Sequence, residues 1–267
     1  MKKTWYNELG FHDNPFSIKP AAFTNDVFGN DKVIGDVVRN VNNSQIVFVH
    51  GPYGTGKTTL LKSLIEVFGG QKKVAYYHAK NADGDLDLDN ILIRNRGFFG
   101  RLLGLRSKNM ILLIDEAEVL TKKDYENILD YFYEGYFKSV VMIAHKNIRF
   151  PSDFEEEVDA TYKLSGVDKT TAIELVRKRV GDINFLSDDI IRDVHDYGNI
   201  PRVLLKNLED VCRHAFNEGA EEVKEDHVRE VLGDKDDVDT SSSKKSKKDS
   251  KKKSSDKKSK ESKSEEE

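Results

Sequence analysis

A glycine-rich segment of this chain has residue types suited to holding phosphate groups. Residues 51–59 follow the apolar run 45–50 and fit the pattern G-x-x-x-x-G-K-[ST]. Glycines let such a loop turn tightly and direct its backbone N–H groups inward. The N-terminus of the following helix adds positive potential. The segment predicts a nucleoside triphosphate site formed by Gly51, Pro52, Tyr53, Gly54, Thr55, Gly56, Lys57, Thr58 and Thr59. Within it, Lys57 can reach the outer phosphates and the Thr58 hydroxyl can hold Mg²⁺.

A pair of carboxylates follows a second apolar run. Residues 110–114 read Met-Ile-Leu-Leu-Ile, which indicates a strand buried on both faces. Asp115 and Glu116 come directly after it, and ligands bind at the carboxyl ends of strands in open α/β sheets. We expect Asp115 to position Mg²⁺, directly or through a water, and Glu116 to act as general base on the attacking water. Taken alone, the pair also fits acidic residues that open a helix.

The rest of the chain indicates the elements that position these residues. Strand patterns at 45–50, 74–78, 110–114, 139–144 and 160–164 alternate with helical segments, which predicts an α/β fold with a mostly parallel sheet between helices. Helical periodicity follows at 168–180, 187–197, 201–218 and 224–232. We therefore predict four parts: a lead-in (1–30), a nucleotide-binding core (31–165), a small all-helical domain (166–233) and a disordered tail (234–267).

Composition limits the classes of function. The chain has 267 residues, 37% of them hydrophobic, and a net charge of -4. Residues 240–267 carry eleven Lys and six acidic residues, so the remainder has a charge of -9, which excludes a generally basic, nucleic-acid-coated body. One cysteine, Cys212, cannot form an intramolecular disulfide. No run of about eighteen apolar residues is present, so we expect no membrane span and a cytoplasmic protein.

Three quoted segments together resemble the AAA+ ATPases. These are residues 51–59, the pair Asp115-Glu116, and the run Gly198-Asn199-Ile200-Pro201-Arg202, which opens a helix. The chain is similar to the branch that includes archaeal origin-recognition-complex ATPases and ExeA-type ATPases. Residues 9–17 resemble the ExeA-type opening, and residues 222–228 resemble the last lid helix of the origin-recognition type. The resemblance implies a five-stranded core sheet, a helical lid, and ATP bound between them.

The resemblance also implies roles for single residues. Arg202 matches the lid arginine called sensor 2, which reaches the phosphates and couples the lid angle to nucleotide state. The alternative is an ordinary arginine at the start of a surface helix. The sensor 1 position lies at the end of the 139–144 strand, where His145, Asn147 or neither could serve. Residues 28–31 resemble the segment that packs on adenine.

Two departures from the family pattern limit the expected activity. The segment 153–159, where ring-forming members offer an arginine finger, is acidic, and only Arg149 lies nearby. Such a finger contributes about three to five orders of magnitude in rate, so we expect slow turnover by the isolated protein or completion by a partner. No winged-helix pattern follows the lid, which argues against a self-sufficient origin-binding role.

Other segments have open interpretations. The basic and apolar stretch 91–106 fits a core helix with a solvated arginine face, or a contact with phosphates or a protein groove. The tail has no aromatic residue, so it is a solubilising segment or a weak, salt-sensitive contact with nucleic acid. Residues Cys212, His214 and His227 lack zinc-site spacing. The aromatic residues fit the core face and flanks of the helix before the fourth strand, with base stacking as the alternative: Tyr125, Tyr131, Phe132, Tyr133, Tyr136 and Phe137.

The leading hypothesis is an ATPase that converts ATP to ADP and phosphate and reports its nucleotide state to a partner. The expected partners are ATP, a protein partner or a second copy of the chain, and DNA, contacted directly or through a partner protein. Two alternatives remain at this stage: an ATP-gated adaptor with little hydrolysis, and a secretion-linked ExeA-type motor.

Overall fold

The five predicted strands form one parallel sheet in the computed structural model, which describes residues 4–18, 30–69, 73–81, 86–94 and 106–234. Their order across the sheet is β2-β3-β4-β1-β5, and each neighbouring pair is parallel. The strands are β1 (Ile46–His50), β2 (Val74–His78), β3 (Met110–Asp115), β4 (Phe137–Ala144) and β5 (Val158–Lys163). The predicted α/β class with a five-stranded parallel sheet is confirmed.

Helices cover both faces of the sheet because the central strands are apolar on both sides. All six residues of β3 are buried, whereas the edge strand β5 alternates between partly buried and exposed positions. One face packs against α2 and α3, and the opposite face packs against α4, α5 and α6. These helices are α2 (Asp31–Asn42), α3 (Lys57–Val67), α4 (Leu88–Arg94), α5 (Lys122–Tyr133) and α6 (Ser152–Glu156).

Four further helices pack around a core of their own. Its buried residues are mainly leucine, isoleucine and valine, together with Cys212. The His214 ring in the third of these helices contacts the Glu230 carboxylate in the fourth at 2.8 Å. The helices are α7 (Lys169–Val180), α8 (Asp188–Asp196), α9 (Pro201–Asn217) and α10 (Glu225–Leu232). We call this group the four-helix unit; its role as a lid stays a prediction.

The N-terminal segment packs against the four-helix unit. A short helix, α1 (Trp5–Glu8), lies beside it, and Phe16 is part of the same core. Arg179 of α7 donates a hydrogen bond to the Ser17 carbonyl oxygen at 3.0 Å. The predicted boundary between a lead-in and the rest of the chain stays untested, but these contacts attach residues 5–17 to the helical core.

Several sequence expectations differ in detail or fall outside the described residues. Strand β4 begins two residues earlier than predicted, and β5 spans 158–163 instead of 160–164. Helix α5 ends at Tyr133, so Phe137 belongs to β4. Residues 28–29, 95–105 and 235–267 lie outside the described ranges, so the adenine, arginine-rich and tail interpretations stay predictions. Within those ranges, no helix is both long and apolar enough to cross a bilayer.

Candidate nucleotide-binding site

The predicted phosphate loop connects β1 to α3, which begins at Lys57. Gly54 and Gly56 have φ values of +89° and +94°, a left-handed conformation that favours glycine. Gly51 is required for a different reason: a Cβ at this position would lie 2.4 Å from the Leu164 carbonyl oxygen just after β5. The three glycines therefore allow both the turn of the loop and its close approach to the sheet.

Lys57 lies inside the loop that it is predicted to serve. Its buried ammonium group donates hydrogen bonds to the carbonyl oxygens of Gly51 and Pro52, each at 2.8 Å. Burial lowers the pKa of Lys57, and the charges of Asp115, Glu118 and Glu116 partly oppose this effect. The positive charge is thus held at the centre of the loop by carbonyl groups and faced by nearby carboxylates.

Other loop residues divide into buried anchors and exposed groups. The Thr55 hydroxyl donates to the Pro52 carbonyl oxygen at 2.9 Å. The buried Asn30 side chain donates to the Thr55 carbonyl oxygen at 3.2 Å, so the residue before α2 is tied to the loop. Thr58 is exposed and Thr59 is partly buried at the start of α3. The Thr58 hydroxyl is therefore accessible to a metal ion or a phosphate.

Asp115 and Glu116 leave the end of β3 in different directions. The Tyr76 hydroxyl on the edge strand β2 donates to Asp115 Oδ2 at 3.3 Å. Burial, together with the nearby Asp115 charge, raises the pKa of Tyr76 to about 12. Glu116 has a φ of +56°, which is uncommon for a residue other than glycine and is often found at functional sites.

The Glu116 carboxylate lies between two basic side chains. The distance to Lys80 Nζ is 3.5 Å, and the distance to His145 Nε2 is 3.4 Å. Burial favours the neutral carboxylic acid, but the His145 hydrogen bond and the Lys80 charge outweigh it and lower the pKa of Glu116. Glu116 is therefore ionised at neutral pH, as acceptance of a proton from water requires.

The structure separates the two residues considered for sensor 1. The His145 ring contacts Glu116, and its backbone N–H donates to Glu118 Oε1 at 3.3 Å. His145 Nδ1 and Glu118 Oε2 are buried and have no hydrogen-bond partner among the described residues. Asn147 is exposed, and within the described part of the chain no hydrogen bond joins it to Glu116 or to the phosphate loop. The geometry favours His145, and the sensor role itself stays a prediction.

Arg202, the second residue of α9, lies against the phosphate loop. Its guanidinium carbon is 4.5 Å from the centroid of the Tyr53 ring. A Cβ on Gly54 would lie 2.5 Å from Arg202 Cβ, so the stem of Arg202 occupies the space beside this glycine. The run that precedes Arg202 is also tied to the start of the four-helix unit, because the Val167 N–H donates to the Asn199 carbonyl oxygen at 2.9 Å.

Sequence reasoning missed several neighbours of the predicted residues. Tyr76 and Lys80 belong to β2 and the turn after it, and only the strand order brings them to the Asp115-Glu116 pair. Glu118 is only two residues beyond Glu116, and this spacing was a weak indication that Glu118 lies near the site. Tyr53 occupies a variable position of the loop pattern, so the pattern assigns it no contact.

No protein-family model matches the chain. Solved structures do share its fold. Cdc6p from Pyrobaculum aerophilum matches with a TM-score of 0.63 and 17% identity, over 83% of this chain and 72% of that protein. ORC2 from Aeropyrum pernix, solved in ADPNP and ADP complexes, matches with a TM-score of 0.60 and 16% identity, over 83% and 71%.

RuvB from Thermotoga maritima, a Holliday junction branch migration motor, matches with a TM-score of 0.58 and 17% identity, over 77% of this chain and 69% of that protein. All three are AAA+ ATPases, whereas the predicted likeness to ExeA-type ATPases stays a prediction. The five-stranded parallel sheet with helices on both faces is the fold of the AAA+ P-loop nucleoside triphosphatases.

Proposed function

We propose that the chain binds ATP with Mg²⁺ at this site and hydrolyses ATP to ADP and phosphate. One observation carries the proposal: the phosphate loop with Lys57, the Asp115-Glu116 pair and Arg202 are adjacent at the carboxyl edge of the sheet. Phosphate binding requires cationic and N–H groups, and hydrolysis requires a base for water. This edge supplies both.

Each group has a chemical task in the proposed reaction. The loop N–H groups and Lys57 bind the phosphates, and Arg202 approaches them from the four-helix unit. The water oxygen bonds to the γ-phosphorus while the bond from that phosphorus to the β,γ-bridging oxygen breaks. Glu116 accepts a proton from the water, and ADP and inorganic phosphate leave. Catalysis rests mainly on positioning and electrostatic stabilisation.

The donor set also fits Mg²⁺. Hard oxygen ligands suit this ion, and the site offers the exposed Thr58 hydroxyl and the Asp115 carboxylate. When bound, Mg²⁺ would neutralise charge on the phosphate oxygens. Tyr76 would orient the Asp115 carboxylate through its hydrogen bond.

We further propose that nucleotide state controls a partner protein in a DNA-associated process. Support comes from the fold that the chain shares with RuvB, a Holliday junction branch migration motor. The charge of -9 on residues 1–239 disfavours broad direct contact with DNA. Turnover by the isolated protein is expected to be slow, because α6, which lies where ring-forming AAA+ ATPases offer an arginine finger, is acidic.

The test is the ATP hydrolysis rate of the purified chain, measured with and without duplex DNA at two protein concentrations. Glu116→Gln should reduce turnover by about 100-fold or more, because it removes the proposed base, and should preserve ATP binding. Glu126→Gln is the matched control, because this exposed glutamate pairs with Lys122 on α5 and should leave the rate unchanged.

The outcomes separate the candidate functions. Hydrolysis that rises with DNA or protein concentration, and that is lost in Glu116→Gln, supports a DNA-linked or self-assembling ATPase. Tight ATP binding without hydrolysis under every condition contradicts the ATPase proposal and supports an ATP-gated adaptor. Failure to bind ATP contradicts both.

A further inference from the structure

The phosphate loop presents an aromatic ring to solvent. The Tyr53 side chain is 63% exposed, and within the described part of the chain its hydroxyl makes no hydrogen bond. The ring has two neighbours from distant parts of the chain. Arg202 lies over its face at 4.5 Å, and the His145 ring is 5.5 Å away between centroids. The ring therefore links the loop, the end of β4 and the start of α9.

The Arg202 contact has the geometry of a cation–π interaction. A guanidinium group within about 6 Å of an aromatic centroid is attracted to the ring face. Among the described residues, no carboxylate lies within ion-pair distance of Arg202, so the ring is the group that holds its charged end in place. Its stem is held separately, because it fills the space beside Gly54.

Arg202 connects this contact to the four-helix unit. It is the second residue of α9, a helix of seventeen residues. Further along α9, Leu204, Leu205 and Leu208 are buried in the core of the unit. The backbone of Arg202 thus belongs to a helix that is anchored in the core of the four-helix unit.

We propose that Tyr53 is a positioning residue that holds Arg202 over the phosphate loop and so couples the four-helix unit to the nucleotide. The inference rests on the proposed nucleotide site and deepens it. A guanidinium group held beside the loop before nucleotide arrives loses less conformational freedom when it binds phosphate. The ring of Tyr53 supplies this pre-organisation, and its hydroxyl is dispensable.

The first experiment compares the dissociation constants of ADPNP and ADP in three proteins. Tyr53→Phe keeps the ring and should bind both nucleotides like the unchanged chain. Tyr53→Leu removes the ring and should weaken ADPNP binding about threefold to fivefold, with a smaller effect on ADP. The comparison of ADPNP with ADP matters because a purely structural role would weaken the binding of both nucleotides equally. The melting temperatures of the three proteins are measured in parallel, and equal values exclude loss of folding as the cause of weaker binding.

A double-mutant cycle with Arg202→Met then tests whether Tyr53 acts through Arg202. In the Arg202→Met background, Tyr53→Leu should cause no further loss of ADPNP affinity. An equal loss in both backgrounds would overturn the inference, because Tyr53 would then act on the loop itself. Tighter binding by Tyr53→Leu would also overturn it, because the ring would then hold Arg202 away from the phosphates.

The same measurements separate this inference from the proposed function. If the unchanged chain binds neither ADPNP nor ADP, the proposed nucleotide site is wrong and the inference fails with it. If the unchanged chain binds both and Tyr53→Leu changes neither dissociation constant, only the inference fails.

Discussion

At the scale of single residues, Asp115 and Glu116 are adjacent in the chain and have different surroundings. Asp115 accepts a hydrogen bond from Tyr76, whereas Glu116 contacts Lys80 and His145. The left-handed backbone of Glu116 accompanies this divergence. With its pKa raised to about 12, the Tyr76 hydroxyl remains a donor throughout the neutral pH range. In the proposed reaction, these surroundings would orient the Asp115 carboxylate toward a metal ion and keep the Glu116 carboxylate ionised for proton transfer.

Tyr76→Phe tests the orientation of Asp115. Removing the hydroxyl leaves the aromatic packing and deletes the hydrogen bond to the carboxylate. Groups that orient a metal ligand typically contribute at least tenfold to metal affinity, so we expect the Mg²⁺ concentration for half-maximal hydrolysis to rise about tenfold. A titration of the ATPase rate with Mg²⁺ measures it.

Tyr77→Phe is the matched control for this change. Tyr77 is the next residue of β2 and packs against the opposite face of the sheet. The Tyr77→Phe substitution should therefore leave the Mg²⁺ concentration for half-maximal hydrolysis unchanged. An unaltered requirement in Tyr76→Phe as well would show that Tyr76 does not orient the metal ligand.

At the scale of elements, the phosphate loop depends on close packing between β1 and β5. The Leu164 N–H donates to the His50 carbonyl oxygen at 2.7 Å, and the Gly51 N–H donates to the Ala144 carbonyl oxygen at 3.2 Å. Strands β4, β1 and β5 therefore converge at the first residue of the loop. The neighbouring backbone leaves no volume for a side chain at Gly51.

Gly51→Ala should destabilise the protein by about 1–3 kcal/mol, because backbone atoms must shift to admit the methyl group. It should also weaken ATP binding, since the loop moves with its first residue. Gly35→Ala is the control: Gly35 lies on an exposed face of α2 with open space around it, and alanine there should stabilise the helix by about 0.5–1 kcal/mol. Chemical denaturation of both variants measures these effects, and equal stability changes would contradict the packing argument.

At the scale of the whole molecule, the chain begins and ends its described part in the same core. Phe16 is 1% exposed within the core of the four-helix unit, and its ring stacks on Trp5 with centroids 6.1 Å apart. The first residues and the last helices therefore form one packed structure. The N-terminal segment contributes to the stability of the helices that present Arg202 to the loop.

Phe16→Ala should lower the free energy of unfolding by about 3–5 kcal/mol, because it leaves a large cavity in this core. Trp5 is the only tryptophan, so its fluorescence reports unfolding at this position. Ile18→Ala, two residues away at a side chain that is 40% exposed, should change stability by less than about 0.5 kcal/mol. A small loss in Phe16→Ala would show that the segment is not an integral part of the core.

The sequence by itself determined the local features of this protein. The phosphate loop could be predicted because its glycines answer backbone requirements within a few residues. Strands β1 and β3 could be predicted because burial on both faces produces continuous apolar runs. The four helices after Val167 followed from their periodicity. The ends of the strands could not be predicted as closely, because they depend on pairing with neighbouring strands. Strand β4, for example, begins two residues earlier than predicted.

Only the tertiary structure decided which distant residues meet at the site. The order β2-β3-β4-β1-β5 brings Tyr76 to Asp115 and His145 to Glu116. The sequence left open whether His145, Asn147 or neither occupies the sensor 1 position. The contact between Tyr53 and Arg202 and the docking of Phe16 each join segments more than one hundred residues apart. Such contacts follow from how whole elements pack, and no pattern within a short window of residues contains that information.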